Sequence, residues 1–264
     1  MAQDAQAISL DEAALLVAAE ENPALEMRLY QERLDEMARA LAGRVAGELD
    51  PNRLAATLSE HLFTRLGFRG NVGDYYDPRN SFLNEVLDRR VGIPITLSIV
   101  YVAVGTRLGL PLAGVSFPGH FIVVYRAAPQ PFFLDAFNQG RPVTETDFRL
   151  LALEQFGLGT DLDPALLRPA TPHEVIARLL RNLKHVYITR EDFPRAIRCS
   201  ERILLATPTA GERRDLGLLL ARAGRVREAL PHLERYVAEA PEAPDRARIQ
   251  AHMISLQLQA RRLN

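Results

Sequence analysis

The fold of this chain is decided by residues 92–137, whose sequence is GIPITLSIVYVAVGTRLGLPLAGVSFPGHFIVVYRAAPQPFFLDAF. Pro94 suits the first turn of a helix and predicts a largely buried helix over residues 95–108. Gly109 is a typical C-cap for that helix. Short runs rich in β-branched and aromatic residues then predict strands at 112–115, 120–125 and 132–137. A buried helix followed by three antiparallel strands predicts an α+β core.

Two polar residues stand out in the predicted strands. His120 is at the head of the second strand and Asp135 lies on the third. A carboxylate among phenylalanines must be paired, here with His120 or an arginine, unless it caps a turn. A histidine oriented by an aspartate is typical of a catalytic triad, although a Gly-His pair at a strand edge also serves to bond the backbone. The only cysteine, Cys199, lies far away in a helical region, so it does not complete a triad.

Two hydroxyl residues near the start of the predicted helix are the remaining candidates for a nucleophile. Thr96 and Ser98 lie in the first turn or just past it, where free N–H groups and the helix dipole favour negative charge. With His120 as base and Asp135 as orienter, either hydroxyl would act in acyl transfer. In the alternative interpretation, both hydroxyls only bond back to helix carbonyls.

Helices are predicted on both sides of the core. Residues 9–66 have helical apolar spacing, residues 67–80 are a Gly- and Asp-rich loop, and residues 81–90 predict a short helix. From residue 172 the chain is helical again. We therefore divide the chain into an N-terminal helical segment (1–66), a core (67–170) and helical repeats (171–264).

The C-terminal part of the chain repeats itself. Residues 182–208 align without gaps on residues 215–241, an offset of 33 positions, which is close to the ~34 of tetratricopeptide units. Each unit has the pattern of a helix, a tight turn, a second helix and a proline stop, and residues 243–263 predict a capping helix. Such stacked helix pairs either present a concave surface to a peptide or partner helix, or pack on the core as a structural arm.

Three motifs carry a resemblance to a known family. They are YYDPRNSFLNEVL at 75–87, RVGIPITL at 90–97 and PGHF at 118–121. They resemble the SirB family of bacterial proteins, which joins a transglutaminase-like core to C-terminal tetratricopeptide-like repeats. The wider superfamily is similar to papain-like enzymes, with a cysteine at a helix start, a histidine on one strand and an aspartate on the next.

The resemblance implies that His120 is the superfamily histidine and Asp135 the aspartate. The superfamily cysteine commonly lies two residues after a glycine. Gly92 supplies that glycine, so the position of the cysteine holds Pro94, which has no nucleophile. Ala136 stands where the family usually has proline. Catalysis by the usual thioester route is therefore not expected.

The same resemblance marks Asn80, Asn84 and Glu85, which we expect to line the binding pocket together with Pro94. Asn80 and Asn84 share one face of the short helix because they are spaced i, i+4. The alternative for Asn80 is to anchor the 67–77 loop. A metal site formed by His120, Asp135 and Glu85 is a further hypothesis, but their spacing is not a known ligand pattern. We expect no metal and no cofactor.

Composition favours a soluble, cytoplasmic protein. The 32 basic and 33 acidic residues are interleaved, so no strong field draws in nucleic acid or a membrane. A single cysteine and a polar N-terminus without a signal sequence indicate a reducing compartment. The longest apolar stretch falls short of the ~20 residues that span a bilayer.

Two function hypotheses follow. In the first, the protein is a pseudoenzyme with a transglutaminase-like core, and it binds a protein or peptide partner through its repeats. In the second, it is an acyltransferase or a hydrolase of amide or ester bonds, with Ser98 or Thr96 as nucleophile, His120 as base and Asp135 as orienter.

Overall fold

The computed structural model describes residues 9–126, 130–157 and 162–262. The chain forms two compact units, Met1–Val175 and Ile176–Asn264. The finer division of the chain at residues 66 and 170 stays a prediction.

The predicted elements occur in the predicted order, and three short strands that the sequence does not predict lie among them. The helices up to the unit boundary are α1 (Leu10–Glu21), α2 (Met27–Val45), α3 (Pro51–Ser59), α4 (Leu83–Arg89), α5 (Pro94–Arg107), α6 (Glu145–Phe156) and α7 (Pro172–Thr189), which crosses the boundary. The strands are β1 (Arg69–Gly70), β2 (Val91–Gly92), β3 (Leu112–Val115), β4 (Ile122–Tyr125), β5 (Phe132–Asp135) and β6 (Arg141–Val143). The second unit continues with α8 (Phe193–Ala206), α9 (Ala210–Arg222), α10 (Val226–Glu239) and α11 (Arg246–Arg262).

The helix α5 is the buried centre of the first unit. Pro94 occupies its first position, as predicted, and every residue from Pro94 to Gly105 is buried. The helix is apolar on all sides because α2, β3 and β4 all contact it. Gly105 allows β3 to approach closely, since a Cβ atom on this residue would lie 2.1 Å from Cδ1 of Leu112.

The strands β3, β4, β5 and β6 form an antiparallel meander in that order. The predicted strand at 112–115 is confirmed, whereas the one predicted at 120–125 begins only at Ile122. Gly119, with a φ of +75°, turns the chain just before this strand, so His120 lies in the turn.

The sheet has one strand more than the sequence predicts. The strand β6 pairs with the preceding strand β5, which ends at Asp135 rather than at the predicted residue 137. Pro142 cannot donate a ladder hydrogen bond and therefore suits only an edge strand, which is where β6 lies. Three residues with a central proline show no alternating pattern, and so the expected three-stranded sheet is four-stranded.

The helices predicted before the core are confirmed. Ser9 caps α1 by accepting a hydrogen bond from the Glu12 N–H at 3.4 Å, and Asp50 caps α3 through the Asn52 N–H at 2.9 Å. The predicted 67–80 loop contains β1, which pairs in parallel with β2. This pairing holds the loop beside the start of α5.

The second unit is built of helix pairs, as the repeat predicts. An ion pair also repeats: Arg181 Nε donates to Glu212 Oε1 at 2.6 Å, and Arg214 Nη1 donates to Asp245 Oδ2 at 2.9 Å. The two pairs are related by the same 33-residue offset. Each pair therefore ties one repeat to the next.

Candidate functional site

His120 and Asp135 meet where two strands pair. Antiparallel pairing of β4 with β5 brings the residues before Ile122 opposite the end of β5. His120 Nε2 lies 2.9 Å from Asp135 Oδ2, and the two side chains are 13% and 6% exposed. The predicted pairing of the aspartate with this histidine is thus confirmed. Because Nε2 faces the carboxylate, Nδ1 is the ring nitrogen that remains for a ligand.

The Asp135 carboxylate accepts hydrogen bonds on both oxygens. Oδ1 accepts from the backbone N–H groups of Phe137 at 3.0 Å and Asn138 at 3.2 Å, and Oδ2 also accepts from Asn138 Nδ2 at 2.7 Å. Burial raises the pKa of this carboxyl, but the bonds from His120 and Asn138 outweigh burial and leave the pKa below its usual range. Asp135 is therefore an ionised group that fixes the orientation of the imidazole.

Pro94 and Thr96 lie in the first turn of α5, where the sequence leads us to expect the nucleophile. Pro94 is buried, and Thr96 is fully buried. The Thr96 hydroxyl donates to the carbonyl of Asn80 at 2.8 Å and accepts from the Ile93 N–H at 3.1 Å. The Thr96 hydroxyl therefore binds backbone, as the structural interpretation expects, but its shortest contact is to the Asn80 carbonyl outside α5 rather than to a carbonyl of the helix.

Ser98 lies half a turn further along α5 and is 1% exposed. Its Oγ atom has no hydrogen-bond partner in the part of the chain that the structure describes. Within those residues no hydrogen bond joins Ser98 or Thr96 to His120. The structure thus brings the predicted base and orienter together, without joining either hydroxyl to them.

Asn80 is the hub of a buried polar cluster. Its Nδ2 donates to the carbonyls of Asp74 at 2.7 Å and Tyr75 at 3.2 Å, and its Oδ1 accepts from Asn71 Nδ2 at 3.0 Å and Arg89 Nη2 at 3.3 Å. The backbone carbonyl of Asn80 also accepts a hydrogen bond from the Thr96 hydroxyl at the start of α5. Asn80 therefore connects the 67–77 loop, α4 and α5. These contacts are those of a loop anchor.

Asn84 and Glu85 follow on α4. Asn84 is 7% exposed, and among the described residues its Oδ1 has no hydrogen-bond partner. Glu85 is half-buried. No hydrogen bond between described residues joins Asn80, Asn84 or Glu85 to His120, and their role as pocket lining stays a prediction.

An aromatic row that the sequence does not predict lies beside the imidazole. The Phe137 ring is 6.4 Å from the His120 ring, and Tyr75 is 6.3 Å from Phe137 and 5.3 Å from Tyr76. Tyr75 and Tyr76 are partly exposed. Gly70 makes room for this row, because a Cβ atom there would lie 2.5 Å from the Phe137 ring. The 67–77 loop therefore carries aromatic surface to the His120 site.

Asn138 is the second site residue that sequence reasoning misses. Its position three residues after Asp135, followed by Gly140, is a signal for a side-chain-capped turn. The signal predicts the turn, but it does not indicate that the Asn138 amide also binds the carboxylate.

The described part of the chain offers neither a group of metal ligands nor a membrane-spanning helix. Within the described ranges, no three His, Cys, Asp or Glu side chains are grouped closely enough to hold a metal ion. The hypothesis of a metal on His120, Asp135 and Glu85 therefore has no support. No helix in the described part of the chain has both the length and the apolar character needed to cross a membrane.

Known protein families account for both units of the fold. The profile of the Transglutaminase-like superfamily matches residues 28–181, and a Tetratricopeptide repeat profile matches residues 183–253. The chain belongs to the transglutaminase-like superfamily. Its fold class is therefore the predicted one, an α+β transglutaminase-like core with helical repeats.

The similarity to individual proteins extends along most of the chain. It is 38% identical over 258 residues to the UPF0162 protein of Xylella fastidiosa strain Temecula1, covering 96% of this chain and 92% of that protein. It is 32% identical over 235 residues to a UPF0162 protein of Pseudomonas aeruginosa, covering 88% and 83%. F-box only protein 21 of Homo sapiens is 32% identical over 130 residues, which are 46% of this chain and 20% of that protein. No solved structure gives a significant match.

Proposed function

We propose that this protein is a transglutaminase-like protein that lacks the usual catalytic cysteine and binds a protein or peptide partner. The observation that carries the proposal is that the base and its orienting carboxylate are paired while the expected nucleophile is missing. His120 and Asp135 are held at 2.9 Å, but the expected nucleophile position holds Pro94. The tetratricopeptide match supports the binding role because stacked helix pairs form extended binding surfaces.

The proposal has two finer parts. The motifs at 75–97 and 118–121 support membership of the SirB family. The single cysteine supports a cytoplasmic location, where thiols stay reduced.

A second candidate function is acyl transfer to, or hydrolysis of, an amide or ester bond. One observation favours it: the buried Ser98 hydroxyl has no hydrogen-bond partner among the described residues. Thr96 is the weaker nucleophile candidate because its hydroxyl already binds the Asn80 carbonyl.

An activity screen separates the two candidates. Wild type, His120→Ala and Ser98→Ala are assayed on amide, ester and glutamine substrates. We expect equal background rates for all three proteins, because within the described residues neither the Thr96 nor the Ser98 hydroxyl is hydrogen-bonded to His120. A wild-type rate that falls about 100-fold or more in both variants would establish the second candidate instead.

A thiol variant tests the assignment of the nucleophile position. In a Cys199→Ala background, Pro94→Cys adds a thiol at the N-terminus of α5. If this is the nucleophile position, the His120 imidazole would lie beside the thiol, and a helix N-terminus and a neighbouring imidazole both lower the pKa of a thiol. We expect iodoacetamide to react at pH 7 about tenfold faster than in the same variant carrying His120→Ala. Equal rates in the two proteins would refute Pro94 as the cysteine position.

Selection of a random peptide library on the immobilised full chain tests the binding role. We expect families of related peptides to be enriched over an albumin control. Enrichment no greater than on albumin would contradict the binding role.

A further inference from the structure

The helix α11 has apolar side chains on two opposite faces. The inward face packs into the core of the second unit through Ile249, Met253 and Leu256. The outward face, called here the outer stripe, consists of Ala247, Ala251, Ile254 and Leu258, all exposed. At 3.6 residues per turn, these two sets lie on opposite sides of the helix.

A helix that is apolar on both faces is typical of the interior of a helical stack, where other helices pack on both of its sides. On the outer stripe, Ile254 is 60% exposed and Leu258 is 52% exposed. A single exposed leucine, such as Leu205 on α8, needs no explanation. Four apolar residues spaced by 4, 3 and 4 positions form a continuous surface on which another helix would extend the stack.

The charge of this region indicates what kind of helix fits. α11 contains four arginines, one histidine and no carboxylate. The second unit has 17 Lys and Arg against 10 Asp and Glu, a net charge of +7, while the first has 15 against 23, a net charge of −8. Acidic and basic residues are interleaved along the sequence, but the two units nevertheless have opposite net charges.

We propose that the outer stripe docks an acidic amphipathic helix of a partner protein. Apolar side chains of that helix would cover Ile254 and Leu258, and its Asp or Glu residues would lie beside the arginines of α11. A second copy of α11 is disfavoured as the occupant because it would bring like charges together. The proposal rests on the binding role of the repeats and adds the surface and the chemistry of the partner.

The test titrates the full chain with a labelled synthetic peptide of roughly five helical turns. The peptide carries leucine at positions i, i+4, i+7 and i+11 with glutamate flanking them, and a twin has lysine in place of glutamate. We expect the Glu peptide to bind, with affinity reduced at least tenfold by Ile254→Glu/Leu258→Glu and reduced again by 0.5 M NaCl. Leu205→Glu, an exposed leucine changed in the same unit, should keep wild-type affinity.

Equal affinity for the Lys twin or equal affinity of the double variant would overturn the proposal. A peptide-free dimer in sedimentation velocity that the double variant abolishes would also overturn it, because it would make a second copy the occupant. Displacement of the peptide by a single-stranded oligonucleotide would instead assign the surface to nucleic acid. Because both side chains are exposed, the double variant should fold, and Ile254→Ser/Leu258→Ser is the milder alternative if it does not. If the Glu peptide does not bind wild type, or binds the double variant equally well, while library-selected peptides are still enriched, the docking surface is refuted but the binding role stands.

Discussion

Asp135 is the residue that defines the geometry of the candidate site. It is 4% exposed, yet its two oxygens accept hydrogen bonds from the His120 ring, the Asn138 amide and two backbone N–H groups. Because the hydrogen bonds to the charged form outweigh the cost of burial, the pKa of this carboxyl is lowered. The imidazole is therefore held by a fixed negative charge across the neutral pH range.

Replacing Asp135 by asparagine should destabilise the protein in a pH-dependent way. We expect Asp135→Asn to lower the free energy of unfolding by about 1–3 kcal/mol at pH 7, because hydrogen bonds to a buried charged acceptor are weakened. A lowered pKa gives stability that is present above the unfolded value of about 3.9 and is lost as pH falls through the folded pKa. The difference from wild type should therefore shrink below pH 4 in urea unfolding curves.

The matched control is Glu154→Gln, which changes an exposed carboxylate on α6. Its free energy of unfolding should stay within about 0.5 kcal/mol of wild type at every pH. An Asp135→Asn penalty that is constant from pH 7 to pH 3 would contradict a lowered carboxyl pKa.

The Thr96 hydroxyl is predicted to be structural. Thr96→Val keeps the shape of the side chain but removes the bond to the Asn80 carbonyl in a fully buried setting. We expect a loss of about 1–3 kcal/mol in the free energy of unfolding. Thr106→Val on the same helix changes an exposed residue whose hydroxyl bonds the helix's own Val102 carbonyl, and it should cost much less. Equal losses for the two variants would remove the special role of Thr96.

The sequence predicts part of the site at this scale. An aspartate among phenylalanines needs a hydrogen-bonding or charged partner, and the pairing of Asp135 with His120 meets that need. The partner of Thr96 is a backbone carbonyl 16 residues away, and no residue type signals such a contact. The Asn138 amide is missed because its direction depends on the turn geometry.

Among the elements, α5 depends on the close approach of β3. Gly105→Ala adds a Cβ atom 2.1 Å from Cδ1 of the buried Leu112, and we expect it to destabilise the protein by about 1–3 kcal/mol. Gly43→Ala on the exposed face of α2, where a Cβ atom meets nothing within 4 Å, should instead stabilise it by about 0.5–1 kcal/mol. Thermal unfolding of both variants checks the opposite signs, and stabilisation by Gly105→Ala would show that the contact relaxes freely.

The elements that the sequence predicts best are those that have a typical starting residue at one end and a typical terminating residue at the other. Pro94 starts α5 and Gly109 follows its end, so the helix is found within a residue or so. The edge strand β6 has no such signals, because its residues are fixed by pairing with Phe133 and Asp135 rather than by their own pattern. Pairing with a neighbouring strand is information that the residue pattern of β6 itself does not contain.

For the whole molecule, the ion pairs between repeats should stabilise only the second unit. Glu212, 8% exposed, accepts hydrogen bonds from Arg181 and from Lys184 Nζ at 2.7 Å. Glu212→Gln leaves these cations poorly paired and should cost about 3–5 kcal/mol. Hydrogen exchange measured by mass spectrometry should become faster in α8–α11 and stay unchanged in β3–β6.

The control is Glu239→Gln, since the Glu239 side chain is 35% exposed and pairs with Arg213 and Arg235. Exposed pairs contribute about 0–1 kcal/mol, so its exchange pattern should resemble wild type. Faster exchange in the β3–β6 sheet of the Glu212→Gln protein would contradict a stabilisation that is confined to the second unit.

The unequal charge of the two units is also a property of the whole molecule. A net charge of −1 hides opposite values of −8 and +7. Acidic and basic residues are mixed locally along the sequence, so the difference in net charge cannot be seen there. It can be calculated only when the boundary between the two units is known.

The order of the strands in the sheet has a kinetic consequence. Every strand from β3 to β6 pairs with its neighbour in the chain, and the partners of Asn80 all lie within 16 residues of it. Contacts so close in sequence require little loop closure before they form, and chains rich in them cross the folding barrier quickly. The hairpin that joins His120 to Asp135 can thus form early, so the imidazole and the carboxylate meet before the distant helices have docked.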